Sequence, residues 1–193
     1  MRVRREVLII VALLILIAGL VKLVEFFRVE VVEADARGFV LEDLETRHPT
    51  AEIEIMSILP KYNQYEDKYF EVKAKVTKNP KTPCPERSHV FYNYPVQNFI
   101  PQPAEVITSG CEVCTEGICV IAFAEEAVIA SHTFSGTDDI QSYLSRYPEA
   151  RSQVVEDQDS WLVMWDSTDA DHYYLATIRR DGTVLDVSRT DKG

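Results

Sequence analysis

Near the start of the chain stand fifteen consecutive residues without a formal charge, Val7 to Val21, almost all of them large and aliphatic. Extended through Lys22, Leu23, Val24, Glu25, Phe26 and Phe27, the run would make a helix of about 30 Å at about 1.5 Å per residue, the thickness of a bilayer core. This predicts a transmembrane helix over residues 7–27, with Val7 and Val21 bounding its uncharged part and Phe26 and Phe27 adding apolar area at the far end. The Lys22 stem would carry its ammonium to the interface. Arg2, Arg4 and Arg5 precede the span, so the positive-inside tendency predicts a cytoplasmic tail over residues 1–6 and a C-terminal domain outside. The expectation is a single-pass protein of the cell membrane, with the lipid bilayer as a partner. A cleaved signal peptide fits the same length and basic start, but Ala18-Gly19 is followed by further apolar residues rather than a clean cleavage pattern. A buried helix of a soluble domain is the third reading.

Charge divides sharply along the chain. Residues 1–28 carry +3 and the remaining 165 carry −14. A surface that negative repels phosphate backbones, which argues against nucleic acid as a partner and suits solubility, cations or a basic protein.

Two stretches read alike at a fixed offset of 99: Leu41-Glu-Asp-Leu44-Glu-Thr-Arg47-His-Pro49-Thr-Ala51, and Ile140-Gln-Ser-Tyr143-Leu-Ser-Arg146-Tyr-Pro148-Glu-Ala150. Each predicts a short amphipathic helix stopped by proline. The second opens on Thr137-Asp138-Asp139, with acidic groups at the positive helix end. Strand-like segments follow both. In the first they are Ile53, Ile55 and the alternating Tyr69–Val76. In the second they are Val154-Val155, Ser160–Trp165 and His172–Ile178. Phe70 and Val72 can be laid on Trp161 and Val163, and Ser88–Phe91 on Asp171–Tyr174, which would make His89 and His172 equivalent. Asp181-Gly182 is a two-residue hairpin signal. The fold class expected is therefore α+β: an N-terminal transmembrane helix followed by two helix-plus-antiparallel-meander units. The divisions are a first unit with its Pro-rich connection over residues 28–104, a Cys-rich linker and strand over 105–131, and a second unit over 132–193. Chance similarity of two proline-stopped helices is the alternative to duplication.

The order of helix, strand ending in aromatic-x-Val, Tyr-rich strand and Arg180-Asp-Gly-Thr-Val-Leu-Asp-Val187 resembles the small PepSY-type domain. The likeness covers residues 137–188 well and 36–94 poorly, the first unit having Asn93-Tyr-Pro95 in place of the terminal Asp-Gly hairpin. It implies an extracytoplasmic domain with a binding or inhibitory role.

Four cysteines, Cys84, Cys111, Cys114 and Cys119, fall between or at the edges of the two units. Outside the cytoplasm an even number reads first as two disulfides. Of three possible pairings we favour Cys84–Cys119 with Cys111–Cys114. The same four thiolates suit a structural zinc as the alternative, with no cofactor in the disulfide case. Cys111-x-x-Cys114 could instead be redox-active, though it lacks the strand-then-helix setting that lowers a thiol pKa.

The four histidines, His48, His89, His132 and His172, lie far apart. No nucleophile elbow, phosphate-binding loop or dinucleotide fingerprint is present. Asp166-Ser-Thr-Asp169-Ala-Asp171 lacks the glycine and glutamate of a calcium loop. No catalytic residues emerge. The expected function is a membrane-anchored extracytoplasmic interaction module with an unidentified protein partner. A scaffold subunit of a pilus- or secretion-type envelope assembly is one alternative, and a thiol-disulfide oxidoreductase using Cys111 and Cys114 is the other.

Overall fold

The computed structural model describes residues 11–20, 22, 31–96, 102–114 and 118–193. Residues 1–32 form one unit and Glu33–Gly193 another.

In the first unit residues 11–20 are helical (α1). Among the described residues no helix is long and apolar enough to cross a membrane. The expected fold class, built on a transmembrane helix, is corrected accordingly. Val7, Val21, Phe26 and Phe27, the residues named as its anchor, lie outside the described residues.

In the second unit α2 (Glu33–Arg47) begins with Glu33 and Asp35 at its positive end and finishes on Arg47, each charge complementing the helix dipole. Ala36, Val40 and Leu44 recur every four residues on one face and are fully buried. They cover a four-stranded antiparallel meander, β1 (Glu52–Tyr62), β2 (Lys68–Lys78), β3 (Glu86–Tyr94) and β4 (Glu105–Thr108), in that spatial order. Along β2, Phe70, Val72, Ala74 and Val76 point inward at period two, while Lys75 on the other face pairs with its cross-strand neighbour Glu54 at 2.5 Å.

Two helices follow, α3 (Ala124–Thr133) and α4 (Asp138–Arg146), and then a second meander: β5 (Arg151–Asp157), β6 (Ser160–Asp166), β7 (His172–Arg179) and β8 (Val184–Asp191). α3 falls across a region expected to be linker and strand. Its start is fixed by Glu126, whose Oε2 accepts the N–H groups of Ala122 at 2.7 Å and Phe123 at 2.9 Å. The core of this half joins Ala127, Val128 and Ala130 of α3 and Ile140 and Tyr143 of α4 to Trp161, Val163, Trp165, Ala176 and Ile178 of the sheet. The buried indole N–H groups are satisfied, Trp161 by the Ile121 carbonyl at 3.0 Å and Trp165 by Ser131 Oγ at 2.8 Å.

The two proline-stopped helix ends make the same hydrogen bonds. His48 N–H donates to Leu44 O and Tyr147 N–H to Tyr143 O, both at 2.8 Å; Ala51 and Ala150 then close the turn onto His48 and Tyr147. Register from that point corrects the strand alignment. Ile53 pairs with Val76 and Ser152 with Trp165, so Val76 corresponds to Trp165 and Val72, rather than Phe70, to Trp161. A bulge between Ile55 and Ser57 absorbs one residue. By the same register His89 corresponds to Leu175, and its equivalence to His172 does not hold.

Candidate functional site

The two sheets meet where the β2 and β3 ends approach the start of α3. Arg87 is the centre of that junction. It is buried, and its Nη1 donates to Glu125 Oε2 at 2.8 Å, while Glu125 Oε1 accepts the Thr77 hydroxyl at 2.9 Å. The guanidinium lies 3.6 Å over the Phe123 ring. Arginine only donates, so the Nε2 of His89, 3.1 Å from Arg87 Nη2, is the acceptor. The His89 proton then sits on Nδ1, 3.0 Å from Glu105 Oε2. Thr108 completes the cluster by accepting the Arg87 N–H at 2.9 Å and donating to Pro85 O at 2.8 Å. Burial pushes the Glu125 carboxyl up, but the Arg87 hydrogen bond, the backbone, the guanidinium charge and Thr77 together outweigh it and hold the group below the ordinary carboxylate value.

Beside this network opens a cleft of about 460 Å³ lined by Glu52, Thr77, Lys81, Glu125, Ser152 and Val154 among others. Ser152 is 3% exposed, and its hydroxyl has no hydrogen-bond partner among the described residues. A buried polar atom left unsatisfied costs about 1–3 kcal/mol.

The cysteines form two disulfides, Cys84–Cys111 and Cys114–Cys119. Both favoured pairings, Cys84–Cys119 and Cys111–Cys114, are corrected. The cause is local backbone: Gly110 and Cys111 both take left-handed φ values, 66° and 63°, and Cys114 does so again at 57°. Those turns aim Cys111 at the β2–β3 loop and Cys114 forward along the chain. The Cys-x-x-Cys stretch is thereby split between two crosslinks, and the four sulfurs do not converge on one centre. Instead the sulfurs of Cys84 and Cys111 cluster with His132 of α3, all within 4.8 Å of one another. His132 stacks on Trp165 with ring centroids 5.8 Å apart and bonds Ile129 O through Nδ1 at 2.7 Å. Burial pushes its pKa down to about 4.

His172 lies apart, among Tyr143, Tyr147 and Tyr174, where it packs as an aromatic. Asp166, in the loop that superficially resembles a calcium site, faces Lys192 Nζ at 2.6 Å.

Arg87, Glu125 and Ser152 were not singled out from the sequence, and His132 was named there only as one of four scattered histidines. Glu125-Glu126 ahead of an apolar run was a legible helix start. Nothing local marks Arg87 or Ser152: the ion-pair partner of Arg87 lies 38 positions away and Lys81, which accepts the Ser152 N–H, lies on a separate loop. Compared with known protein families, curated proteins and solved structures, this chain matches none of them.

Proposed function

We propose that this chain is a non-catalytic binding module of an oxidising, extracytoplasmic compartment, and that the junction cleft receives a polar group of a protein partner. The observation that carries the reading is the buried, unsatisfied Ser152 hydroxyl on the wall of a cleft of about 460 Å³, within the range of ligand-holding clefts. Two disulfides suit the compartment. The chemistry of the cleft favours binding over catalysis. Glu125 is locked as an ionised partner of Arg87, far from the poise a general acid or base needs near neutral pH. Among the described residues no base hydrogen-bonds the Ser152 hydroxyl to activate it. The excess acidic charge of residues 29–193 steers a basic partner toward the module, and the resemblance to PepSY-type domains points the same way.

The test is a photo-crosslinker placed at Gln153, on the cleft wall, with the full chain expressed in its native cells. One defined protein should be captured stoichiometrically, and Gln153→Trp, which fills the mouth from an exposed position, should abolish its copurification at unchanged thermal midpoint. Wild-type copurification with Gln153→Trp refutes the cleft as the site.

A second reading, a scaffold subunit of an envelope assembly, draws on a different surface. On the outer face of the second sheet Val155 and Leu162 are cross-strand partners, 61% and 37% exposed, and Leu185 on β8 is 49% exposed. Copurified neighbours released by Leu162→Lys and not by Gln153→Trp would favour it.

A further inference from the structure

We infer that Cys84, Cys111 and His132 form a reduction-dependent site for a thiophilic divalent cation of the zinc class, occupied only when the Cys84–Cys111 crosslink is open. A metal site needs ligand atoms already converging, and these three lie within 4.8 Å of one another. Around a tetrahedral zinc, with sulfur at about 2.3 Å and imidazole nitrogen at about 2.0 Å, two such ligand atoms stand about 3.5 Å apart. The Cys111 sulfur is 3.7 Å from His132 Nε2. That pair is already spaced as one edge of a coordination tetrahedron.

The imidazole is also oriented for the task. Its Nδ1–H donates to Ile129 O at 2.7 Å, which leaves the lone pair on Nε2 facing Cys111. Stacking on Trp165 fixes the ring plane. An outer hydrogen bond that sets tautomer and direction is the usual support of a ligating histidine. The two sulfurs are carried by loops rather than by strands or helices: Cys84 lies between β2 and β3, and Cys111 in the turn after β4. Once the bond is broken they can part to the ligand spacing while α3 holds His132 still. Cys114 and Cys119 pair with each other in the crosslinked form, and their sulfurs stand outside the converging cluster. Three protein ligands leave a fourth position for water or for a partner's side chain.

The chemistry balances as follows. A dithiol transfers two electrons and two protons to the Cys84–Cys111 disulfide, becoming a disulfide itself and leaving two thiols. Cation binding then releases those two protons as both sulfurs become thiolates. Crosslink and metal are mutually exclusive states of one pair of sulfurs.

The full chain, reduced with a phosphine that offers no competing thiol, is titrated anaerobically with Co²⁺. One Co²⁺ should bind per chain, with a thiolate-to-cobalt charge-transfer band and d–d bands of tetrahedral intensity. Cys84→Ser and Cys111→Ser should each weaken binding at least a hundredfold and His132→Ala at least tenfold, while the Cys114→Ser/Cys119→Ser variant keeps wild-type binding. Because a variant can fail through misfolding, wild type is also followed by peptide mapping during reoxidation. Zn²⁺ should slow re-formation of Cys84–Cys111 and leave Cys114–Cys119 unaffected. Absence of the charge-transfer band in reduced wild type, folded or not, overturns the site. So does its loss in Cys114→Ser/Cys119→Ser, or equal protection of both crosslinks by Zn²⁺.

Discussion

Arg87 and Glu125 belong to opposite halves of the second unit, and their ion pair, 2.8 Å long, is buried on both sides. Arg87 comes from β3 of the first sheet and Glu125 from the first turn of α3, which packs on the second sheet. Desolvating two charges costs several kcal/mol, which the pair recovers only through its further hydrogen bonds to Thr77 and His89 and its stacking on Phe123.

Breaking one side of that pair should therefore be worse than removing both. Arg87→Ala strands a carboxylate and is expected to cost about 3–5 kcal/mol, whereas Arg87→Met combined with Glu125→Leu should come within about 1–2 kcal/mol of wild type. Urea denaturation of the single and double variants measures both. Additive losses would show that the two residues act independently.

Acid should weaken the fold in two stages. The folded pKa of His132 lies near 4, below its unfolded value of 6.5, so the unfolded chain takes up this proton first. Stability is complete above about pH 6.5, falls as pH drops toward 4, and then levels, for a total on the order of 3 kcal/mol. Glu125, held below its ordinary value, adds stability that is present above the unfolded carboxyl pKa and lost as pH falls through the folded one. His132→Gln should flatten the first stage and leave the second. An unchanged pH profile in that variant would contradict the assignment.

The two disulfides should differ in worth. Cys84–Cys111 spans 27 positions and Cys114–Cys119 only 5. Loop-closure entropy gives about 3.5 kcal/mol for the first and about 2 kcal/mol for the second. Cys84→Ser/Cys111→Ser should accordingly melt below Cys114→Ser/Cys119→Ser, and unreduced wild type should take up no alkylating reagent. The reverse order of melting would mean that the short crosslink carries structure the long one does not.

Gly182 links the β7–β8 turn to the cysteine region. Its φ of +84° disfavours any side chain, and a Cβ placed there would meet the Cys119 sulfur at 2.6 Å and the Phe134 ring at 3.1 Å. Gly182→Ala is expected to cost about 2–3 kcal/mol. In a Cys114→Ala/Cys119→Ala background the clash with the sulfur should disappear and the loss shrink, leaving the Phe134 contact and the backbone strain, which a double-mutant cycle reads directly.

Sequence patterns revealed what depends on neighbours in the chain. The stops after Arg47 and Arg146 were legible because Pro49 and Pro148 bar continuation, and the Asp181-Gly182 turn because its backbone demands that pair. Trp161 and Trp165, four positions apart in one strand-like segment, fall on one face by parity, and both are buried. The helix at Ala124–Thr133 was missed: Val120-Ile-Ala-Phe before it reads as strand, and its small residues give little amphipathic contrast. The transmembrane reading rested on the length of an apolar run, and among the described residues no helix is long and apolar enough to cross a membrane. Pairing of the cysteines turned on left-handed residues at Gly110 and Cys111, and the Arg87–Glu125 junction on tertiary approach; neither has a local signature.

The loop that carries Cys84 does one more thing. β5 is an edge strand, and the N–H of Ser152, which faces away from β6, donates to the carbonyl of Lys81 at 3.0 Å. The β2–β3 loop thus lays a single carbonyl along an otherwise open border of the second sheet, and the crosslink three residues further on keeps it there. Uncovered strand borders are templates for another chain's strand. Opening Cys84–Cys111 would release that one restraint, so reduction is expected to raise the tendency of β5 to pair with another chain's strand, which light scattering of the oxidised and reduced protein measures.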